Sequence, residues 1–329
     1  MSFDFIAIGD VTADAFIRLK EASVNTDIRR HEKKLCVNFA DKIPYESVYE
    51  LYGVGNSPNA SVCASRLGIG SALVSNIGKD ENGKKCVASL EKNGVNCKYV
   101  SEEKGKKTNY HYALWFEDER TILVNHEIFN YKLPNIKTPK WAYISSLASN
   151  SYDYHLQIIS YLRDHPEIKT VFQPGTFQIM LGVEKLKDLY ARTDIFFCNV
   201  EESQRILDMP NGEIKTLLQK MHGLGPKIVC ITNGPKGAYC HDGTTSWFMP
   251  IYPDPKPPLE RTGCGDSFAA TFTAAIALGK SVEEALMWAP VNPMSVVQYV
   301  GAQQGLLTKE KLEQLLKEAP ADYKPVIIH

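Results

Sequence analysis

Short apolar runs recur along this chain with helical patterns between them, and that alternation limits the folds it can adopt. Phe3–Ile8, Ala72–Ile77, Trp141–Ser145, Lys169–Phe172, Ile195–Asn199 and Lys227–Thr232 each read as a buried strand. Asn59–Leu67, Gly83–Asn93, Tyr154–Arg163, Glu201–Leu207 and Ile214–Leu224 carry apolar residues at helical spacing, and Thr308–Lys317 reads as an amphipathic closing helix. Strands alternating with helices predict an α/β fold: a mostly parallel central sheet flanked by helices on both faces. The first run ends at Gly9-Asp10, where the chain opens into a loop at the strand's carboxyl end.

Two stretches break the rhythm. Residues 15–52 are long for a connection and contain one strand-like run, Lys34–Phe39. Residues 108–126 alternate with period two. Tyr110, Tyr112, Leu114 and Phe116 share one face, His111, Ala113 and Trp115 the other, and Asp118-Glu119 turns the chain into Thr121–Val124. Together these pieces predict a small antiparallel β lid beside a single α/β domain spanning 1–329. Pro250–Pro258 reads as a rigid extended approach to the segment that follows.

Composition narrows the function. In 329 residues, 44% are hydrophobic, enough for a substantial core, and 37 Lys plus Arg against 38 Asp plus Glu give a formal charge of −1. A balance of that kind argues against a nucleic-acid binder working through a broad basic surface. The longest apolar stretch, Phe268–Leu278, is too short for a membrane span, and the opening MSFDFIAIGD lacks a signal-peptide pattern. Eight cysteines with no C-x-x-C pair point away from a disulfide framework or zinc site. A cytoplasmic protein with reduced thiols is the expectation.

The sharpest motif is Thr262-Gly263-Cys264-Gly265-Asp266, followed by an Ala-rich helical stretch ending at Gly279. A Gly-rich turn opening a helix converges backbone N–H groups and adds the positive end of the helix dipole, which suits an anion. A carboxylate there would repel a phosphate unless it had another task, such as accepting a proton from an attacking hydroxyl. The local alternative is that Asp266 caps the helix. Other phosphate signatures fail. Gly78–Lys84 matches G-x-x-x-x-G-K, but Lys85 stands where a P-loop needs Ser or Thr, and no G-x-G-x-x-G follows the first strand.

Five ordered motifs make the chain resemble the ribokinase-like (PfkB) family of carbohydrate and nucleoside kinases over essentially its whole length. Gly55–Asn59 with Ala60–Gly68 resembles the N-terminal signature, and Gly78–Gly83 its G-x-D-x-x-G. Asn199–Glu202 resembles N-x-x-E, Thr232–Ala238 the nucleotide-binding segment, and Thr262–Asp266 the D-T-x-G-A-G-D signature. The resemblance implies Asp266 as general base, with the amides of Gly263, Cys264 and Gly265 as an anion hole. It implies Thr232, Gly234, Gly237 and Asn199 around ATP, and Asn199 and Glu202 organising Mg²⁺ through water. Asp14, Gly55 and Asn59 would hold the acceptor, a carboxylate being well suited to two vicinal hydroxyls.

Departures shape the finer reading. Val54 replaces the first Gly of the N-terminal pair, and Cys264 replaces a common Ala and reads as a small residue. Glu260-Arg261 replaces Asp-Thr, which argues against carrying over the monovalent-cation activation of ribokinases. Aromatics in the lid segments (Phe16, Phe39, Tyr110, Tyr112, Trp115, Phe116) suit the flat walls a nucleobase needs. Gln173-Pro174-Gly175 resembles a D-P-G element of nucleoside-phosphorylating members, with Gln for Asp. The expected activity is therefore transfer of the γ-phosphoryl group of ATP to the 5′-hydroxyl of an adenosine-like ribonucleoside. The alternatives are a sugar kinase of the ribokinase or fructokinase type and a silent nucleotide sensor. The expected partners are small molecules, and the family allows a monomer or a homodimer through the lid. Asp14 as a strand-end turn residue, Glu202 as a solvated first-turn acid, and His111 and His126 as surface or core residues of the lid are the plainer alternatives.

Overall fold

A computed structural model describes residues 3–27, 32–117 and 119–328. The turn residue Asp118 and part of the 15–52 connection lie outside them.

Ten strands form the main sheet. The first strand, Phe5–Ile8, is central, flanked by Trp141–Ile144 on one side and Ser71–Gly78 on the other, both parallel to it. Lys169–Phe172, Ile195–Asn199 and Ile228–Thr232 extend the parallel array outward from Trp141–Ile144, and Asn96–Glu103 closes the opposite edge. Ala238–His241, Ser246–Met249 and Val326–Ile327 add an antiparallel border. The central strands are buried on both faces, which explains why they read as continuous apolar runs rather than as alternation.

Helices cover both faces. Asn56–Arg66, Glu81–Lys92, Cys264–Ala277, Val282–Trp288 and Lys309–Lys317 bury Ala60, Leu90, Phe272, Leu286 and Leu312 in one core. Tyr152–Asp164, Val183–Arg192 and Ile214–His222 bury Ile158, Leu189 and Leu218 in the other. The Ala-rich sequence of Cys264–Ala277 lets that helix pack closely against Asn56–Arg66. Inside this contact, Asn292 Nδ2 donates to Thr271 Oγ1 at 2.8 Å.

A second sheet carries Tyr45–Val54, Thr12–Leu19, Asn109–Phe116 and Glu119–Leu123, in that order. Its outer pairings are antiparallel, and Thr12–Leu19 runs parallel to Asn109–Phe116 in the middle. Phe16, Ala113, Trp115 and Val300 form a small core of its own, so the buried face of 109–116 is the His111, Ala113, Trp115 face. The strand expected at Lys34–Phe39 is Glu32–Cys36, paired with Ser23–Asp27 in a separate two-stranded ribbon. Polar residues dominate both of its strands, so neither supplies an apolar face to join the four-stranded sheet. Among the described residues no helix is long and apolar enough to cross a membrane.

Candidate active site

The carboxyl ends of the parallel strands bring Asp10, Ser146, Gln173, Asn199 and Thr232 to one edge of the sheet, where open α/β sheets form their crevices. The amino end of the helix Cys264–Ala277 meets that edge.

Asp266 occupies the third position of this helix and does not cap it; the cap is Gly263. Its carboxylate instead accepts three side-chain amides. Asn56 Nδ2 donates to Oδ1 and Asn59 Nδ2 to Oδ2, each at 2.7 Å, and Gln173 Nε2 donates to Oδ1 at 3.1 Å. Asn56 and Asn59 are one helical turn apart, so one helix face presents both. Each amide is oriented in turn. Gln303 Nε2 donates to Asn59 Oδ1 at 2.9 Å and to Gly53 O at 2.8 Å. The buried Tyr143 hydroxyl donates to Gln173 Oε1. Because a carboxylate only accepts, the amide nitrogens must face Asp266.

The turn before the helix is held by its backbone. Gly263 has φ +80°, and a Cβ there would stand 2.2 Å from the Cβ of Ala302. Glu260 is buried, and its carboxylate accepts the amides of Thr262 and Gly301, both at 2.8 Å, tying this turn to the 301–303 segment. The first helical bond runs from Ser267 N to Gly263 O at 2.8 Å, leaving the amides of Cys264, Gly265 and Asp266 ahead of the ladder. Burial pushes the Cys264 thiol up to about 12, so it is protonated at neutral pH, consistent with a small-residue role.

Two cavities meet at this turn. The smaller, about 180 Å³, is lined by Thr262 and Asp266 and by Asp14, Gly55, Asn56 and Asn59. Asp14 sits inside the strand Thr12–Leu19 rather than in a turn; it accepts from Thr12 Oγ1 at 2.9 Å, and burial pushes its carboxyl up to about 6. Gly55 has φ +121°, and a Cβ there would lie 2.8 Å from Asp10 O. Of the aromatic residues expected as nucleobase walls, only Phe16 lines this cavity, beside Leu51, Val54 and Ile122. Phe39 is fully exposed, Trp115 is in the small sheet's core, and Tyr110 and Tyr112 line a separate outer depression. His111 and His126, expected as lid residues rather than catalysts, line this cavity.

The larger cavity, about 380 Å³, is lined by Cys264 and Gly265 and by Asn199, Thr232, Gly234, Gly237 and Ala238. Its walls are Pro250–Tyr252, Phe268, Pro290, Pro293, Met294 and Val297. Asn199 and Glu202 form a reciprocal cap: Glu202 N donates to Asn199 Oδ1 at 2.8 Å, and Asn199 N donates to Glu202 Oε2 at 2.9 Å. Glu202 lines neither cavity, and burial raises its carboxyl, with the Asp266 charge adding to the effect. Arg120, from the small sheet, reaches this cavity with a buried Nε that no protein group accepts. Among the described residues no group of three or more His, Cys, Asp or Glu side chains is arranged to hold a metal.

Arg120, Asn56 and Glu260 were not legible as site residues. Asn56 had a signal, its spacing of three from Asn59, and Glu260 stood out as a departure just before the Gly-rich turn; Arg120 had none before the fold brought it in.

The model of the pfkB family of carbohydrate kinases matches residues 21–309. The chain belongs to this family. It is accordingly a phosphotransferase acting on hydroxyl groups, of the sugar and nucleoside kinase kind. It is 26% identical to a ribokinase of Bacillus subtilis over 277 residues, covering 80% of this chain and 87% of that protein. It is 24% identical over 293 residues to a nucleoside kinase of Methanocaldococcus jannaschii, covering 85% of this chain and 90% of the relative. The fold matches the Arabidopsis thaliana ribokinase solved with ribose and ATP, with a TM-score of 0.78 at 21% identity, covering 96% of this chain and 99% of that one.

Proposed function

We propose that the chain transfers the γ-phosphoryl group of ATP to the 5′-hydroxyl of an adenosine-like ribonucleoside held in the smaller cavity. The observation that carries this reading is the turn shared by both cavities. Thr262 and Asp266 border the acceptor side, and Cys264 and Gly265 border the donor side. A phosphoryl group crossing that turn meets amides on its way and a carboxylate at its destination.

Asp266 takes the proton from the attacking hydroxyl. Its three amide partners aim its oxygens, and none of them is a base that would compete for the proton. The amides of Gly263, Cys264 and Gly265 form the anion hole for charge developing on the transferred group, aided by the helix dipole. Asp14 holds the ribosyl diol, with Gly55 and Asn59 beside it. Phe16, Leu51, Val54 and Ile122 give the cavity an apolar wall, which suits a base better than a free sugar bearing hydroxyls on every side. The four-stranded sheet acts as the lid, bringing Asp14 and His111 down from one side.

ATP lies in the larger cavity against Thr232, Gly234 and Gly237, with the Arg120 guanidinium balancing phosphate charge. Mg²⁺ fits only as a hydrated ion. Asn199 Oδ1 is engaged in the cap and no three-ligand cluster exists among the described residues, so Asn199 and Glu202 act on it through water. When bound, the ion neutralises phosphate charge.

An ADP-release assay with ATP over adenosine, inosine, cytidine, ribose and fructose tests the reading. The highest kcat/KM is expected with a ribonucleoside. Turnover restricted to free sugars would replace this reading with that of a sugar kinase.

A further inference from the structure

The acceptor cavity holds a titratable cluster that phosphoryl transfer does not use. His111 and His126 pack with ring centroids 5.1 Å apart at 61°. His126 is braced on its other side by an edge contact to Phe177 at 5.6 Å. Two carboxylates of the same lining lie beside them. Asp10 Oδ2 is 3.7 Å from His126 Nδ1, and Asp14 Oδ1 is 3.5 Å from His111 Nδ1. Asp10 is already engaged, because the Tyr131 hydroxyl reaches its two oxygens at 2.8 and 2.9 Å. Two buried ring nitrogens, His111 Nε2 and His126 Nδ1, have no hydrogen-bond partner in the protein. Buried polar atoms are rarely left unpaired without a reason. Both residues line the cavity, so an acceptor can supply the missing partners.

The charge balance of the same lining is one-sided. It contains Asp10, Asp14 and Asp266, and among the described residues lining it there is no Lys or Arg. Burial lowers both imidazoles, His111 to about 4 with His126 adding to the effect, so neither supplies a positive charge at neutral pH. Each neutral ring offers one N–H donor and one acceptor.

We propose that His111 and His126 are the specificity residues of the acceptor site, hydrogen-bonding an uncharged polar edge of the acceptor beyond its diol, and that the cavity rejects phosphorylated and acidic sugars. The inference deepens the kinase reading above and rests on its assignment of this cavity to the acceptor. An anion here would face two or three carboxylates with no counter-charge, whereas a neutral base or polyol edge satisfies both orphan nitrogens at once.

The test titrates adenosine, inosine, cytidine, ribose and fructose 6-phosphate into the protein by calorimetry with a non-hydrolysable ATP analogue. The same panel is then assayed with ATP. Wild type, His111→Ala, His126→Ala and His126→Gln are compared, with melting curves as the folding control. Fructose 6-phosphate should be the weakest ligand and the poorest substrate. For the best acceptor, each alanine variant should raise Kd and KM about tenfold, the worth of one neutral hydrogen bond. KM should move by a larger factor than kcat, and His126→Gln, which keeps a donor and an acceptor, should recover part of the loss. Unchanged Kd and KM in folded histidine variants would overturn the proposal, as would fructose 6-phosphate binding as well as the best uncharged ligand. If ribose outperforms every nucleoside, the nucleoside reading fails, and the histidine inference is then judged on ribose by the same criteria.

Discussion

Replacing Gln173 by Glu changes one group at the centre of the site without changing its size. Gln173 Nε2 lies 3.1 Å from Asp266 Oδ1, so the variant sets a second carboxylate oxygen at that distance. At an effective dielectric of about 20, two unit charges so close repel by about 5 kcal/mol. Tyr143 still donates to the 173 side chain and relieves part of this. Two carboxylates at hydrogen-bond distance share one proton rather than both ionising. The proposed base is then blocked at neutral pH and freed at higher pH. The expected result is a kcat/KM at pH 7 reduced about a hundredfold, rising as pH increases, with the acid limb of the profile displaced upward. Gln173→Leu removes one donor to the carboxylate without adding charge; it should cost about tenfold or more, from the roughly 1.5 kcal/mol of one hydrogen bond to a charged group, and displace the limb upward far less than Gln173→Glu does. Steady-state rates from pH 5 to about 9.5 on both variants form the assay. A Gln173→Glu profile that superimposes on that of wild type would refute the argument that Gln173 tunes Asp266.

Two further outcomes follow from the same geometry. Gly263→Ala places a Cβ in a left-handed conformation, costing about 1–2 kcal/mol, and drives it against Ala302; the melting temperature should fall by a few degrees and kcat by far more than that loss explains, whereas wild-type kcat would dissociate the turn from catalysis. For Asp14, burial raises the carboxyl from 3.8 to about 6, so the folded state holds its proton more tightly than the unfolded chain. The stability this contributes is present below about pH 4 and lost as pH rises through 6, about 3 kcal/mol at most. Asp14→Asn does not titrate, so its melting temperature relative to wild type should climb between pH 4.5 and 7.5 while acceptor KM rises; a pH-independent difference in calorimetry would contradict the burial argument.

Much of the fold was legible because the central strands are doubly buried and therefore write themselves as apolar runs. The helix at 264–277 was legible from its Gly-rich start and Ala-rich body. The border strands Ala238–His241 and Ser246–Met249 were not, being four residues each with mixed burial. Thr12–Leu19 hid inside what reads as a loop, because its pairing partners lie far along the chain, Asp14 facing Leu51 and His111, 37 and 97 residues away. The Gly-rich turn could be named as a candidate because its glycines leave a local mark, whereas Asp14 was named only through the family resemblance. Of the aromatics read as nucleobase walls only Phe16 reaches the acceptor cavity, since period-two alternation says which residues share a face but not which face the cavity takes. Gln173 and Glu260 stand out in the sequence only as departures from the family pattern; their contacts, like those of the lid histidines, arise across the fold, which no local pattern encodes.

Asp266→Asn probes the central claim most directly, since the amide keeps the size of the side chain and removes its basicity. Calorimetric binding of ATP and kcat with the best acceptor should be measured together. The account predicts nucleotide affinity within about threefold of wild type and kcat lower by about a thousandfold or more, at the upper reach of general-base effects. A folded Asp266→Asn protein that turns over at the wild-type rate would contradict it.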